Sequence, residues 1–113
     1  MSSRGMTRAQ LEARRRELER QRELARQQRV KSQVMEIIRV LEKEQINLAA
    51  SGQGAWLQDE FTKITEAIKK GQETPAGPKI DSVYEELQQQ HALMLTLSET
   101  AEDRRDEHQS EKW

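Results

Sequence analysis

The sequence predicts an all-α protein in which a long N-terminal helix and two shorter helices form a small antiparallel helical bundle or coiled coil with a projecting basic arm. Three observations predict this fold. Helix-forming residues dominate a chain of 113 residues that is 35% charged and only 4% aromatic. Neither Pro nor Gly interrupts residues 7–50. Apolar residues recur at helical spacing in three segments, which stretches containing Gly and Pro separate.

The first helix is predicted over residues 7–50, because Gly or Pro in a helix interior would cost about 1–3 kcal/mol and neither occurs there. Thr7 has the side-chain hydroxyl of an N-cap, and Gly52 is expected to end the helix in the left-handed conformation. At about 1.5 Å per residue the helix would measure roughly 65 Å. We therefore expect an extended molecule that functions by binding other chains.

Residues 1–29 are predicted to form a basic, solvent-exposed helical arm. Residues 1–34 carry ten basic side chains and four acidic ones, whereas residues 80–113 carry three basic and nine acidic ones. Helical spacing predicts local ion pairs between Glu and Arg within the arm. These are Glu12–Arg16, Glu17–Arg20, Glu19–Arg22 and Glu23–Arg26. The arginines expected to dock on an acidic surface are Arg8, Arg14, Arg15, Arg16, Arg20, Arg22, Arg26 and Arg29.

Residues 30–71 are predicted to form a helical hairpin from the second half of the first helix and a second helix. The second helix is expected from about Ala55 to Lys70, with Gly71 as its stop signal. Apolar residues follow a spacing of three, four or seven on both helices, which indicates one buried face on each. They are Val34, Ile38, Leu41 and Leu48 on the first helix and Leu57, Phe61, Ile64 and Ile68 on the second.

Residues 72–79 contain two Pro and one Gly and are predicted to be a linker. The third helix is predicted over residues 80–105, starting near Asp81 or Ser82, because Ser82 and Glu85 have the spacing of a capping box. Residues 106–113 are predicted to be an acidic, polar tail beyond the helix.

The predicted core is small for the length of chain that it must order, so we expect a partner or self-association to complete it. The residues expected to contact that partner are the large apolar ones of the three helices. They are Val34, Ile37, Ile38, Leu41, Leu48, Trp56, Leu57, Phe61, Ile64, Ile68, Leu87, Met94 and Leu97.

Catalysis is not expected from this sequence. The chain has no cysteine, and its two histidines, His91 and His108, are not at metal-ligand spacing. We therefore expect no catalytic residue, no cofactor and no metal. No run of about 18 apolar residues occurs, so no membrane span is expected, and the expected location is intracellular, either cytoplasmic or nuclear.

The predicted function is that of a non-enzymatic structural or assembly subunit, or an adaptor, that binds partner proteins by helix–helix packing. Its arginine-rich arm would dock on an acidic surface, in a hetero-complex or a homo-oligomer. The alternative is an RNA- or DNA-associated protein whose arm contacts phosphates. Four interspersed glutamates and the absence of aromatic residues from the arm favour the protein partner.

Overall fold

The fold is all-α, as the sequence predicts. A computed structural model describes residues 5–52 and 57–111 of the chain, with side chains as far as Glu99. Three helices make up this described part: α1 (Arg8–Ala50), α2 (Gln58–Glu73) and α3 (Ile80–Glu111). They pack against one another in an elongated molecule of 86 × 24 × 15 Å.

Both ends of α1 confirm the sequence prediction. Thr7 Oγ1 accepts a hydrogen bond from the Gln10 backbone N–H at 3.2 Å, and Gln10 Oε1 accepts one from the Thr7 N–H at 2.9 Å. This reciprocal capping box satisfies two of the backbone donors that a helix N-terminus leaves unpaired. At the other end, Gly52 has a φ of +84°, the left-handed conformation that glycine adopts without steric cost.

The predicted end of α2 at Lys70 is wrong, because the helix continues through Gly71 to Glu73. The helix begins at Gln58, and the predicted start at about Ala55 lies outside the described residues. Gly71 is a site of close helix packing rather than a stop signal. A Cβ atom at Gly71 would lie 3.0 Å from Ile38 Cδ1 and 3.0 Å from Leu87 Cδ1. Glycine therefore lets α2 approach α1 and α3 closely, and tertiary packing overrides its low helix propensity. The connection to α3 shortens to residues 74–79.

Lys31 of α1 caps the C-terminus of α2. Its Nζ donates hydrogen bonds to the carbonyl oxygens of Gly71 at 2.7 Å, Gln72 at 3.3 Å and Thr74 at 2.7 Å. These include carbonyls that the end of a helix leaves without a backbone donor, and a cation there also interacts favourably with the helix dipole. This bond set explains how α2 extends past the glycine.

Replacing Lys31 with Met is expected to lower the free energy of unfolding by about 1–2 kcal/mol, because the carbonyls at the end of α2 lose a charged donor. Urea unfolding monitored by circular dichroism measures the change. Lys43→Met is the matched control, since Lys43 is exposed on the same helix. The control should change stability by less than about 0.5 kcal/mol. Equal losses in the two variants would contradict the capping role.

The predicted end of α3 and the capping box predicted at its start need correction. The helix begins at Ile80, which is fully buried, so packing of this side chain fixes the start. Ser82 lies within the first turn and its hydroxyl donates to the Lys79 carbonyl oxygen at 3.0 Å, so the predicted capping box with Glu85 does not form. The helix then continues past the predicted end at residue 105 to Glu111, because no Gly or Pro occurs in that stretch.

Helices α1 and α3 run in the same direction, and α2 runs antiparallel to both. Arg26 contacts Asp81 near the start of α3, and Lys31 contacts the last residues of α2. Gln45 donates to the carbonyl oxygen of Phe61, near the start of α2. The core between the three helices consists of Val34, Ile38, Leu41, Leu48, Leu57, Ile64, Ala67, Ile68, Ile80, Val83, Leu87 and Met94.

Candidate interaction surfaces

Most of the apolar residues predicted to contact a partner are buried within this chain. Those in the core are Val34, Ile38, Leu41, Leu48, Leu57, Ile64, Ile68, Leu87 and Met94. Ile37, Phe61 and Leu97 are half-buried at the edge of the core and remain partly accessible, whereas Trp56 lies outside the described residues. The buried set therefore holds the three helices together, and a surface for a partner lies outside it.

The N-terminal part of α1 has no packing partner within the described chain. Every side chain from Arg8 to Ala25 is exposed, including the large apolar side chains of Leu11, Leu18 and Leu24, which are 53%, 48% and 50% exposed. This stretch of helix extends about 27 Å at about 1.5 Å per residue. The bundle begins only at Arg26 and Gln27.

Arg26 joins the exposed part of α1 to α3. Its Nη1 and Nη2 donate to the two carboxylate oxygens of Asp81 at 2.7 and 2.8 Å, and Nη2 also donates to Glu23 at 2.6 Å. Gln27 is buried beside this cluster. The predicted arm boundary at residue 29 therefore falls inside the bundle, and Arg26 makes a structural contact. Sequence spacing carries no signal for a pair 55 positions apart.

Hydrogen bonds from the Arg26 guanidinium lower the pKa of Asp81 and the pKa of Glu23 below their ordinary values. Because these pKa values are lowered on folding, the cluster stabilises the fold above the ordinary carboxyl pKa of about 4. That contribution is lost as the pH falls through the lowered values.

The melting temperatures of wild type and Asp81→Asn should therefore differ at about pH 7 and converge at about pH 2. Thermal unfolding followed by circular dichroism at a series of pH values measures this. The double variant Arg26→Gln with Asp81→Asn controls for the uncompensated arginine. A difference that stayed constant down to acid pH would contradict a role for the carboxylate charge.

The ion pairs of the exposed stretch agree only in part with the predicted set. Glu17–Arg20 and Glu23–Arg26 form at 2.7 and 2.6 Å. Glu12 pairs with Arg8 and Glu19 pairs with Arg15, so the predicted partners Arg16 and Arg22 remain without a carboxylate among the described residues. Each glutamate has basic neighbours on both sides along the helix, and spacing alone does not select one. Within residues 8–29, the arginines left without an ion pair in the described chain are Arg14, Arg16, Arg22 and Arg29.

Three of these four arginines share a helix face with Leu11 and Leu18, two of the three exposed leucines of this stretch. The members of this face follow one another in sequence at intervals of three or four residues. They are Leu11, Arg14, Leu18, Arg22, Ala25 and Arg29. This spacing keeps them on one side of a helix, and we call this surface the Leu–Arg face. It lies opposite the stripe of Val34, Ile38 and Leu41 that enters the core. A shallow groove on it is lined by Leu11, Arg14, Arg15, Leu18, Glu19 and Arg22.

A second shallow groove lies between α1 and α3, on the side away from α2. Ile37 and Val40 of α1 line it together with Tyr84 and His91 of α3. His91 is half-buried here among polar and apolar neighbours. Within the described residues, no group of three or more acidic or histidine side chains is arranged to hold a metal ion.

The described part of the chain is thus an elongated bundle of three helices, and the first helix extends beyond the bundle. Comparisons of the chain with protein-family models, with curated proteins and with solved structures gave no match. None of the helices, as far as the structure describes them, has the length and apolar content needed to cross a membrane.

Proposed function

We propose that this protein is a non-enzymatic assembly subunit or adaptor whose arm docks on an acidic surface of a partner protein. The observation that supports this function is the exposed helix over residues 8–25, which carries leucines and unpaired arginines outside the bundle. Tertiary packing supplies most of the stability of helices in proteins, and this stretch has none within the described chain. Burying Leu11 and Leu18 against a partner would stabilise it by up to about 1.5–3 kcal/mol each.

Charge favours an acidic partner for this surface. All four glutamates of the arm already pair with arginines, so the Leu–Arg face presents positive charge that nothing in the described chain neutralises. Opposite charge on the partner would steer association and fix its orientation. Leucines between the arginines add apolar contact area, which suits a protein helix better than a phosphate backbone.

Photocross-linking in living cells tests this proposal. With benzoylphenylalanine in place of Leu18, the full-length protein is expected to form a discrete protein adduct. The additional changes Arg14→Glu, Arg22→Glu and Arg29→Glu should abolish that adduct. The same cross-linker in place of Asp59, an exposed residue of α2, is the matched control. No adduct at position 18, or the same adducts at both positions, would contradict arm docking.

Nucleic-acid binding is the second candidate function, and the unpaired arginines of the arm favour it. Three phosphate contacts by Arg14, Arg22 and Arg29 would make log K fall with log salt at a slope of about −2 to −3. Filter binding to RNA and duplex DNA at several salt concentrations measures that slope. Binding that is absent at low salt, or that survives charge reversal of these arginines, would eliminate this function.

We further propose that the protein acts inside the cell, in the cytoplasm or the nucleus. The absence of cysteine from all 113 residues fits a reducing compartment, where disulfides do not stabilise folds. Imaging of the full-length protein fused to a fluorescent protein tests the location, and a signal confined to a secretory compartment would contradict it.

A further inference from the structure

The two ends of this molecule carry opposite charge. Residues 8–29 hold eight arginines and four glutamates, a net charge of +4. Residues 99–111, the last part of α3, hold six acidic residues and two arginines, a net charge of −4. We call the second stretch the acidic segment. The net charges of the two stretches are equal in magnitude and opposite in sign.

These two stretches cannot meet within one chain. Because α1 and α3 run in the same direction, Arg26 lies beside Asp81, and Val40 lies beside His91 and Ala92. Continuing this register places Glu99 level with the last turn of α1, about 25 Å along the bundle axis from Arg29. Ion pairs form only within about 4 Å, and screening removes longer-range attraction beyond about 8–10 Å in physiological salt.

We propose that the acidic surface on which the arm docks is the acidic segment of a second copy of this chain, in an antiparallel side-by-side dimer. This inference rests on the proposed function and names its partner. A twofold axis perpendicular to the long axis of the molecule brings each arm beside the acidic segment of the other copy. The contact between arm and acidic segment therefore forms twice. A parallel dimer would set +4 against +4 and −4 against −4, and repulsion disfavours it.

Length and apolar surface also fit this arrangement. The exposed part of α1, residues 8–25, spans about 27 Å, and residues 99–111 of α3 span about 20 Å, so the two stretches can lie side by side over several helical turns. Leu95, one helical turn before Glu99, is 47% exposed, comparable to Leu11 and Leu18 of the arm. The antiparallel dimer therefore offers apolar contacts for the leucines as well as carboxylates for the arginines.

Sedimentation equilibrium on three forms of the full-length protein tests the dimer. Wild type is expected to dimerise, with a dissociation constant that rises at least tenfold between about 50 mM and about 500 mM salt. The arm variant combines Arg14→Glu, Arg22→Glu and Arg29→Glu, and the acidic-segment variant combines Glu99→Lys, Glu102→Lys and Asp106→Lys. Each variant alone should be monomeric, whereas an equimolar mixture should form a heterodimer in which both contacts are complementary again.

Arg16→Glu is the control for charge reversal off the Leu–Arg face, and this variant should still dimerise at low salt, unlike the arm variant. Circular dichroism of every variant establishes that the helices are retained. Misfolded variants would not regain association when they are mixed, so a heterodimer in the mixture would show that loss of the dimer in each variant alone is due to charge. A monomeric wild type at low salt, an arm variant that still dimerises, or a mixture that stays monomeric would overturn the inference.

Two further outcomes separate this inference from the function on which it rests. A monomeric wild type whose Leu18 cross-linker captures a different protein would overturn the dimer and leave the assembly function standing. A monomeric wild type with no adduct at that position would remove both. Association that nuclease treatment abolishes would overturn the dimer in favour of nucleic-acid bridging.

Discussion

Replacing Gly71 with leucine is expected to force the three helices apart and lower the free energy of unfolding by about 3 kcal/mol. A Cβ atom at this position would already lie 3.0 Å from Ile38 Cδ1 and Leu87 Cδ1 and 3.3 Å from Val34 Cγ1. Leucine adds three further carbons to that space. Its neighbours are almost completely buried, so they have little room to move away.

Gly77→Leu is the matched control for this substitution, because a Cβ atom there meets only the Pro75 carbonyl oxygen, at 3.8 Å. The control should change stability by less than about 0.5 kcal/mol. Urea unfolding of both variants, monitored by circular dichroism, gives the two values. If Gly71→Leu is as stable as wild type, then α2 does not approach α1 and α3 as closely as the structure shows.

Truncating Ile64 to alanine is the second substitution with a large expected effect, a loss of about 2–5 kcal/mol. Ile64 is 0% exposed, so the substitution removes apolar contacts and leaves a cavity on the inner face of α2. Phe61 is only half-buried, so its truncation should cost less than that of Ile64 even though phenylalanine is the larger side chain. Sequence periodicity assigns the two residues to the same face and does not separate them.

Ile46→Ala provides the control for side-chain chemistry, because Ile46 is 68% exposed on α1. Its stability should remain within about 0.5 kcal/mol of wild type. The three truncations should rank Ile64, Phe61, Ile46 in decreasing loss of unfolding free energy. A loss below about 1 kcal/mol for Ile64→Ala would mean that α2 is not part of the cooperative core.

Helix identity and the core face could be predicted from sequence because local chemistry determines them. Thr7 and Gly52 mark the ends of α1 through capping and left-handed geometry, which involve only neighbouring residues. The apolar spacing on each helix likewise predicts which side is buried. The core contains each predicted stripe position of α1, namely Val34, Ile38, Leu41 and Leu48.

The end of α2 and the interaction that fixes the start of α3 could not be predicted, because contacts between helices determine them. Gly71 reads as a stop in sequence, yet close packing and the Lys31 hydrogen bonds carry the helix past it. Ile80 begins α3 because its side chain is buried, and that burial overrides the capping signal at Ser82. In each position a residue distant in sequence supplies the interaction that decides the bound.

The Leu–Arg face could not be predicted from the sequence, because arginines occur on all sides of the arm. Eight arginines and four glutamates over residues 8–29 indicate charges on every side of the helix. Only the observed ion pairs show which arginines remain without a carboxylate in the described chain, and most of these share a face with Leu11 and Leu18. The spacing of Leu11, Arg14, Leu18 and Arg22 places them on one helix face, but only the observed ion pairs distinguish these arginines from the paired ones.

Hydrogen exchange of the full-length protein tests most directly whether the arm is stabilised from outside its own chain. In dilute, high-salt solution, amides of residues 11–25 should exchange at least tenfold faster than those around Val34, Ile38 and Leu87, because no side chain of residues 8–25 is buried. At high concentration and low salt, or with a bound partner, the arm amides should gain protection. Arm amides as strongly protected as the core in the dilute sample would contradict this conclusion.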